Sequence, residues 1–135
     1  MNQQETDKID RQIQSVTDQF SDIKLVIIFG SVAAGKASLE SDLDIAILAK
    51  KPLSAQNKIS LINALAESTG RPIDLVDLSQ AGEPLLGQIL QRGRKISGKN
   101  QYYAELLSKH LIDQADFVPY QRRILAERRK AWIGK

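Results

Sequence analysis

The stretch from Gly30 to Leu48 constrains the fold of this chain more than any other part of it. A dense apolar run ends at the pair Gly30-Ser31, and after ten intervening residues Asp42 and Asp44 open a second apolar run. Apolar runs that are bounded by glycine and polar residues are typical of buried strands. The stretch therefore predicts two strands that are joined by a small glycine-rich turn and carry two carboxylates.

The pattern of the second run places both carboxylates on one face of its strand. Side chains alternate along a strand, so Asp42 and Asp44 project the same way, roughly 7 Å apart along the chain direction. Mg²⁺ prefers oxygen ligands and is commonly held by a few carboxylates together with substrate phosphates. Backbone N–H groups beside Gly30 and the hydroxyl of Ser31 suit a phosphate chain. These residues predict a magnesium-dependent nucleotide site.

A third carboxylate is predicted to reach the same edge of the sheet. Asp74 is the second residue of a further apolar segment, Ile73–Leu78, which reads as a strand. It could complete the cluster and act as general base on an attacking hydroxyl. Two metal ions at such a cluster can activate the attacking oxygen and stabilise the leaving oxygen. Asp77 lies three residues later, so alternation turns it to the opposite face and makes it the weaker candidate.

Two other interpretations of these residues stay open at this level. A D-x-D pair is ordinarily a solvated strand face, although the apolar flanks and the glycine-serine turn here favour a site. The residues from Gly30 to Lys36 also match the first seven positions of the P-loop pattern G-x-x-x-x-G-K-[ST]. The eighth position is Ala37, which cannot supply the hydroxyl that binds metal in that motif.

The combined motif resembles the polymerase-β-type nucleotidyltransferase superfamily and, within it, the minimal nucleotidyltransferases. The resemblance covers about residues 8 to 98 and extends, more weakly, to MntA-type antitoxins of HEPN toxin–antitoxin pairs. It implies Mg²⁺, as two ions, and transfer of AMP from ATP onto a tyrosine of a cognate HEPN ribonuclease toxin. It also implies catalytic and metal-binding roles for Asp42, Asp44 and Asp74.

The same resemblance assigns the nucleotide-binding residues. Gly30 and Ser31 would hold the triphosphate, and we add Lys36 and Ser41 to this group. Many relatives read G-S-R-A-R-G, whereas this chain has Val32 and Ala34 at the arginine positions. Lys36 is a candidate for the missing positive charge.

The fold class predicted for the chain is α/β (α+β), with a small mixed sheet that is flanked by helices. We expect a nucleotidyltransferase core over residues 1–98 and a C-terminal helical extension over residues 99–135. Helices are predicted over Lys8–Phe20, from Ser54 to Gly70, from Pro84 to Gly93 and from Asn100 to Val118, with an edge strand near GRKISG. Their predicted buried stripes include Ile59, Ile62, Leu65 and Ala66 in the second helix, and Leu107, Leu111, Ala115 and Val118 in the last.

Composition restricts the cellular compartments and the classes of partner that we expect for this chain. The chain has no cysteine and no apolar run near the roughly 20 residues that cross a bilayer, so we expect a cytoplasmic protein without a membrane partner. Residues 120–135 hold six basic residues and one acidic residue. This tail is a candidate docking surface for the toxin in a hetero-oligomer; we expect no nucleic-acid partner. The basic cluster consists of Arg122, Arg123, Arg128, Arg129 and Lys130.

Three further functions remain as alternatives. The chain could be an antitoxin that masks its toxin by binding alone, or a nucleotidyltransferase that acts on a small molecule. A nucleic-acid binder that uses the basic tail would lose affinity steeply with salt. His110, the only histidine, is expected to have a packing or surface role rather than a catalytic one, because no partner for it is apparent in the sequence.

Overall fold

The computed structural model describes residues 2–33 and 41–115 of the chain. Within these ranges the elements alternate between helix and strand. They are α1 (Gln3–Thr17), β1 (Ile23–Phe29), α2 (Gly30–Ala33), β2 (Leu43–Ala49), α3 (Ala55–Thr69), β3 (Ile73–Asp77), α4 (Leu85–Arg92) and β4 (Arg94–Gly98). Residues 100–115 form a further helix, α5.

The strands form one mixed sheet in the order β3-β2-β1-β4. β1 pairs antiparallel with both β2 and β4, whereas β2 and β3 are parallel. The predicted mixed sheet and the predicted edge strand are therefore confirmed. The antiparallel pairing of β1 with β2 does not fit the P-loop interpretation, in which a strand leads through a crossover helix to a parallel neighbour.

Helices cover both faces of the sheet and create two apolar clusters. One cluster joins α1 and α3 to the sheet and includes Leu43, Ile45 and Ile47 of β2. The other joins α4 and α5 to the opposite face and includes Ala46 of β2. Because side chains alternate along β2, the acidic residue Asp44 lies on the same face as Ala46.

The helix ends are set by local capping residues. Asn2 and Glu5 form a capping box, so α1 begins at Gln3 rather than at the predicted Lys8. The helix ends at Thr17, and Phe20 lies beyond it while still packing on the core. In α3 the predicted signals are correct: Ser54 accepts a hydrogen bond from the Asn57 N–H, and Gly70 ends the helix with φ of 69°.

Two predicted buried stripes are wrong in part. In α3 the buried residues are Leu61 and Leu65, and Ile59 is 58% exposed. Leu61 and Leu65 lie four residues apart, on the one helix face that packs on the sheet, and Ile59 lies off that face. In α5 the buried positions are Leu106 and His110, and Leu111 is 57% exposed.

The buried stripe of α5 differs from the predicted one because it includes His110, a polar residue that a hydrophobic pattern leaves out. Tyr102, Tyr103 and Leu107 are partly buried and pack beside it in the α4/α5 cluster. Val118 and the basic cluster in the tail lie outside the described residues. The division at residue 98 stays a prediction. Among the described helices, none has both the length and the apolar character needed to cross a membrane.

Candidate active site

The parallel pairing of β2 with β3 brings two of the predicted carboxylates together. Asp44 and Asp74 are register partners, so they point to the same face from adjacent strands. Burial, followed by the charge and hydrogen bonding of Asp74 and then the charge of Asp42, raises the pKa of Asp44. A carboxyl group whose pKa is raised by other carboxylates marks an excess of negative charge at that point.

Asp42 stands at the rim of this pair. It immediately precedes β2 and is exposed, and its charge reaches Asp44. Within the described ranges no three acidic, histidine or cysteine side chains already converge tightly enough to enclose one metal ion. The sheet thus holds Asp44 and Asp74 together, and Asp42 lies farther out.

The donor set nevertheless fits Mg²⁺ in chemistry and charge. All three side chains offer hard carboxylate oxygens, which are the ligands that Mg²⁺ prefers. The ion keeps several waters and usually needs only one or two protein carboxylates plus phosphate oxygens, so a closed protein cage is not required. A divalent cation would also relieve the repulsion from Asp74 and Asp42 that, after burial, raises the pKa of Asp44.

Gly30 lies directly against the Asp44 carboxylate. Phe29 at the end of β1 pairs with Asp44, and Gly30 follows with φ of 75°. A Cβ atom at this position would collide with Oδ2 of Asp44. The left-handed backbone and the close approach both require glycine here. The glycine turn and the carboxylate pair therefore form one continuous surface.

The other predicted nucleotide-binding residues are distributed around this surface. Ser31 follows in the first turn of α2, and Ser41 lies just before Asp42. Lys36 and Ala34 lie outside the described residues. Val32 is buried in the α1/α3 cluster, so this position contributes packing and no charge.

Asp77 has a structural environment that differs from that of Asp74. Its carboxylate accepts hydrogen bonds from the Leu53 N–H at 2.8 Å, the Ser79 N–H at 2.9 Å and the Ser79 hydroxyl at 2.7 Å. Asp77 is buried, whereas Asp74 is exposed. The carboxylate of Asp77 therefore ties together two loops that flank the sheet.

Two interactions were missed in the sequence. His110 is 1% exposed and pairs through Nδ1 with Glu83, so the packing role was anticipated but the partner was not. Arg71 is buried and donates from Nη1 to the carbonyl oxygen of Ser41 at 3.3 Å. Neither pairing has a periodic signal, because partners 27 and 30 residues apart meet only through the tertiary fold.

The chain matches the family described as Polymerase beta, Nucleotidyltransferase over residues 11–102. It is 33% identical over 89 residues to protein adenylyltransferase MntA of Shewanella oneidensis. That match covers 66% of this chain and 64% of the relative, so it spans less than two thirds of the relative's length.

Solved structures give a consistent comparison. A chain in a toxin–antitoxin crystal structure with AMP-PNP is 26% identical, with a TM-score of 0.76, and the match covers 87% of this chain and 96% of that one. A chain in the toxin–antitoxin MntA–HepT crystal structure is 25% identical, with a TM-score of 0.67 and coverage of 93% and 97%.

Proposed function

Since this chain belongs to the polymerase beta nucleotidyltransferase family, we propose that it is a Mg²⁺-dependent protein adenylyltransferase. Its donor is ATP, its acceptor is a tyrosine of a cognate HEPN ribonuclease toxin, and the product is an AMPylated, inactive toxin. The protein thereby acts as an antitoxin. We propose a cytoplasmic location for it, where ATP is available as the donor.

The observation that carries this proposal is the juxtaposition of Asp44, Asp74 and Gly30. Two carboxylates in register on adjacent strands are a ready site for divalent cations. The glycine at φ of 75° leaves room for a phosphate chain to approach the backbone beside them. Neither feature is needed for packing, since Asp74 is exposed and the core lies elsewhere.

The proposed reaction is an in-line displacement at the α-phosphorus of ATP. The tyrosine oxygen forms a bond to this phosphorus, and the bond to the bridging oxygen of the β-phosphate breaks to release pyrophosphate. Asp74 takes the proton from the tyrosine hydroxyl. Asp42, Asp44 and Asp74 would hold Mg²⁺, which when bound neutralises phosphate charge.

The remaining roles follow from position. Gly30 and Ser31 would bind the triphosphate through the turn after β1, with Lys36 and Ser41 at its sides. Burial and the neighbouring carboxylates raise the pKa of Asp44, so a bound cation and a proton on Asp44 would compete with each other. This residue therefore acts as the link between metal occupancy and the charge state of the site.

The partner is inferred from the solved relatives, which are chains of toxin–antitoxin complexes. We propose that this chain likewise forms a hetero-oligomer with its toxin. The basic cluster between Arg122 and Lys130 is a candidate contact surface, because its positive charge would complement an acidic patch on a partner protein.

Labelled ATP provides the test of donor chemistry. The purified protein is incubated with Mg²⁺, the cognate toxin and ATP labelled on either the α- or the γ-phosphate. We expect the α-label to appear on the toxin and the γ-label to leave as pyrophosphate, with no transfer in the presence of EDTA. Transfer of the γ-label would instead identify a kinase.

A further inference from the structure

Arg71 occupies an unusual position for a basic side chain. It lies between the end of α3 and the start of β3 and is 7% exposed. No other lysine or arginine in residues 2–33 and 41–115 is buried. An arginine keeps its charge in proteins, so burying it costs free energy unless the surroundings compensate. A buried arginine does not contribute to the solvated surface, so we expect a structural or functional role for Arg71.

The contact of Arg71 extends the pairing of the two carboxylate-bearing strands. Leu43 is opposite Ile73, and the Leu43 N–H donates to the Pro72 carbonyl at 2.9 Å. Two positions earlier, Arg71 donates from Nη1 to the Ser41 carbonyl at 3.3 Å. The guanidinium group thus ties the segment before β2 to the segment before β3.

The acceptor of this hydrogen bond, the Ser41 carbonyl, belongs to the residue that directly precedes Asp42. Asp42 is the outlying member of the acidic cluster, exposed and beyond the last backbone bond between β2 and β3. Its side chain can approach Asp44 and Asp74 only as far as the backbone at Ser41 allows.

We propose that Arg71 is a positioning residue that fixes the Ser41–Asp42 backbone and so sets the distance of Asp42 from the Asp44–Asp74 pair. The role rests on the proposed metal site of this protein. Groups that orient a metal ligand typically change metal affinity roughly 10- to 100-fold when they are removed. Arg71 thereby controls cation affinity without touching the cation.

The test uses Mn²⁺ alone as the probe, with binding followed by the loss of the free Mn²⁺ signal in electron paramagnetic resonance. We expect Arg71→Met to weaken Mn²⁺ binding by roughly 10- to 100-fold. Arg71→Lys keeps the charge but not the planar guanidinium, and we expect an intermediate affinity. It also carries the test if Arg71→Met does not fold.

The matched control is Arg94→Met. Arg94 lies on β4, at the sheet edge opposite β3, and forms an ion pair with Asp10 of α1. Its loss should lower the melting temperature and leave Mn²⁺ affinity unchanged. Unchanged affinity in the Arg71 variants, or an equal loss in Arg94→Met, would overturn the positioning role alone. A wild-type protein that binds no Mn²⁺ would overturn the metal site itself.

Discussion

Replacing Asp44 by asparagine should abolish nucleotidyl transfer and raise the melting temperature of the ligand-free protein. The activity loss follows from removing a charged metal ligand at the centre of the acidic cluster, and we expect a decrease of roughly a thousandfold or more. The stability gain follows from removing a charge that is partly buried and repelled by Asp74 and Asp42, which are the causes that raise the pKa of Asp44.

The direction of the pH effect follows from that raised pKa. The folded protein binds the proton on Asp44 more tightly than the unfolded chain does. Its contribution to stability is therefore fully present below the ordinary aspartate pKa and is lost as the pH rises through the raised folded-state pKa. Above that raised pKa, and without metal, the wild-type protein carries the cost of a buried charge beside two other carboxylates, and the asparagine variant does not.

Thermal unfolding in EDTA and in Mg²⁺ measures both effects. The wild-type melting temperature should rise on adding Mg²⁺, whereas that of Asp44→Asn should start higher and respond less. Asp77→Asn is the control, because an amide N–H₂ would face the donors Leu53 or Ser79. It should melt lower and keep its transfer rate per folded molecule. An Asp44→Asn variant that melts below wild type would contradict the repulsion.

Replacing Gly30 by alanine should impair both the fold and the reaction. The backbone at φ of 75° costs roughly 1–2 kcal/mol for a residue with a Cβ. The added methyl group would also displace the Asp44 carboxylate, with which it collides. We expect transfer to fall by roughly a hundredfold or more, since small misplacements of reacting groups have effects of that size.

The variant Gly70→Ala separates the effect of backbone strain from the effect of the collision with Asp44. Gly70 has φ of 69° at the end of α3, and a Cβ atom there would meet open space. Both variants place a Cβ on a left-handed backbone, so urea unfolding should show that this strain lowers the free energy of unfolding by a comparable amount in each. Only Gly30→Ala should lose transfer per folded molecule. Equal transfer rates for the two variants would show that contact with Asp44 has no part in the site.

The predictions that succeeded share one property, which is that they depend on local pattern. Apolar runs and alternation were enough to place Asp74 on a strand beside β2 and to turn Asp77 away. Ser54 and Gly70 marked the ends of α3 because capping is decided by neighbouring residues. The fold class followed from the order of these elements and from the family resemblance.

The predictions that failed depend on tertiary contacts. Ile59 and Leu111 fit a helical period, yet the rotation of each helix is set by the surface it packs on. Glu83, just before α4, contacts His110 of α5. Arg71, just before β3, contacts Ser41, just before β2. Charged and polar residues of this kind carry no periodic signal, so only the folded arrangement identifies their partners.

The intact mass of the toxin tests the central claim most directly. The cognate HEPN toxin is incubated with this protein, Mg²⁺ and ATP, and its mass and ribonuclease activity are followed together, with Asp44→Asn as the inactive comparison. We predict that the toxin gains whole AMP units as its ribonuclease activity disappears, and that Asp44→Asn leaves both unchanged. Neutralisation of a toxin whose mass does not change would contradict AMPylation and identify an antitoxin that acts by binding alone.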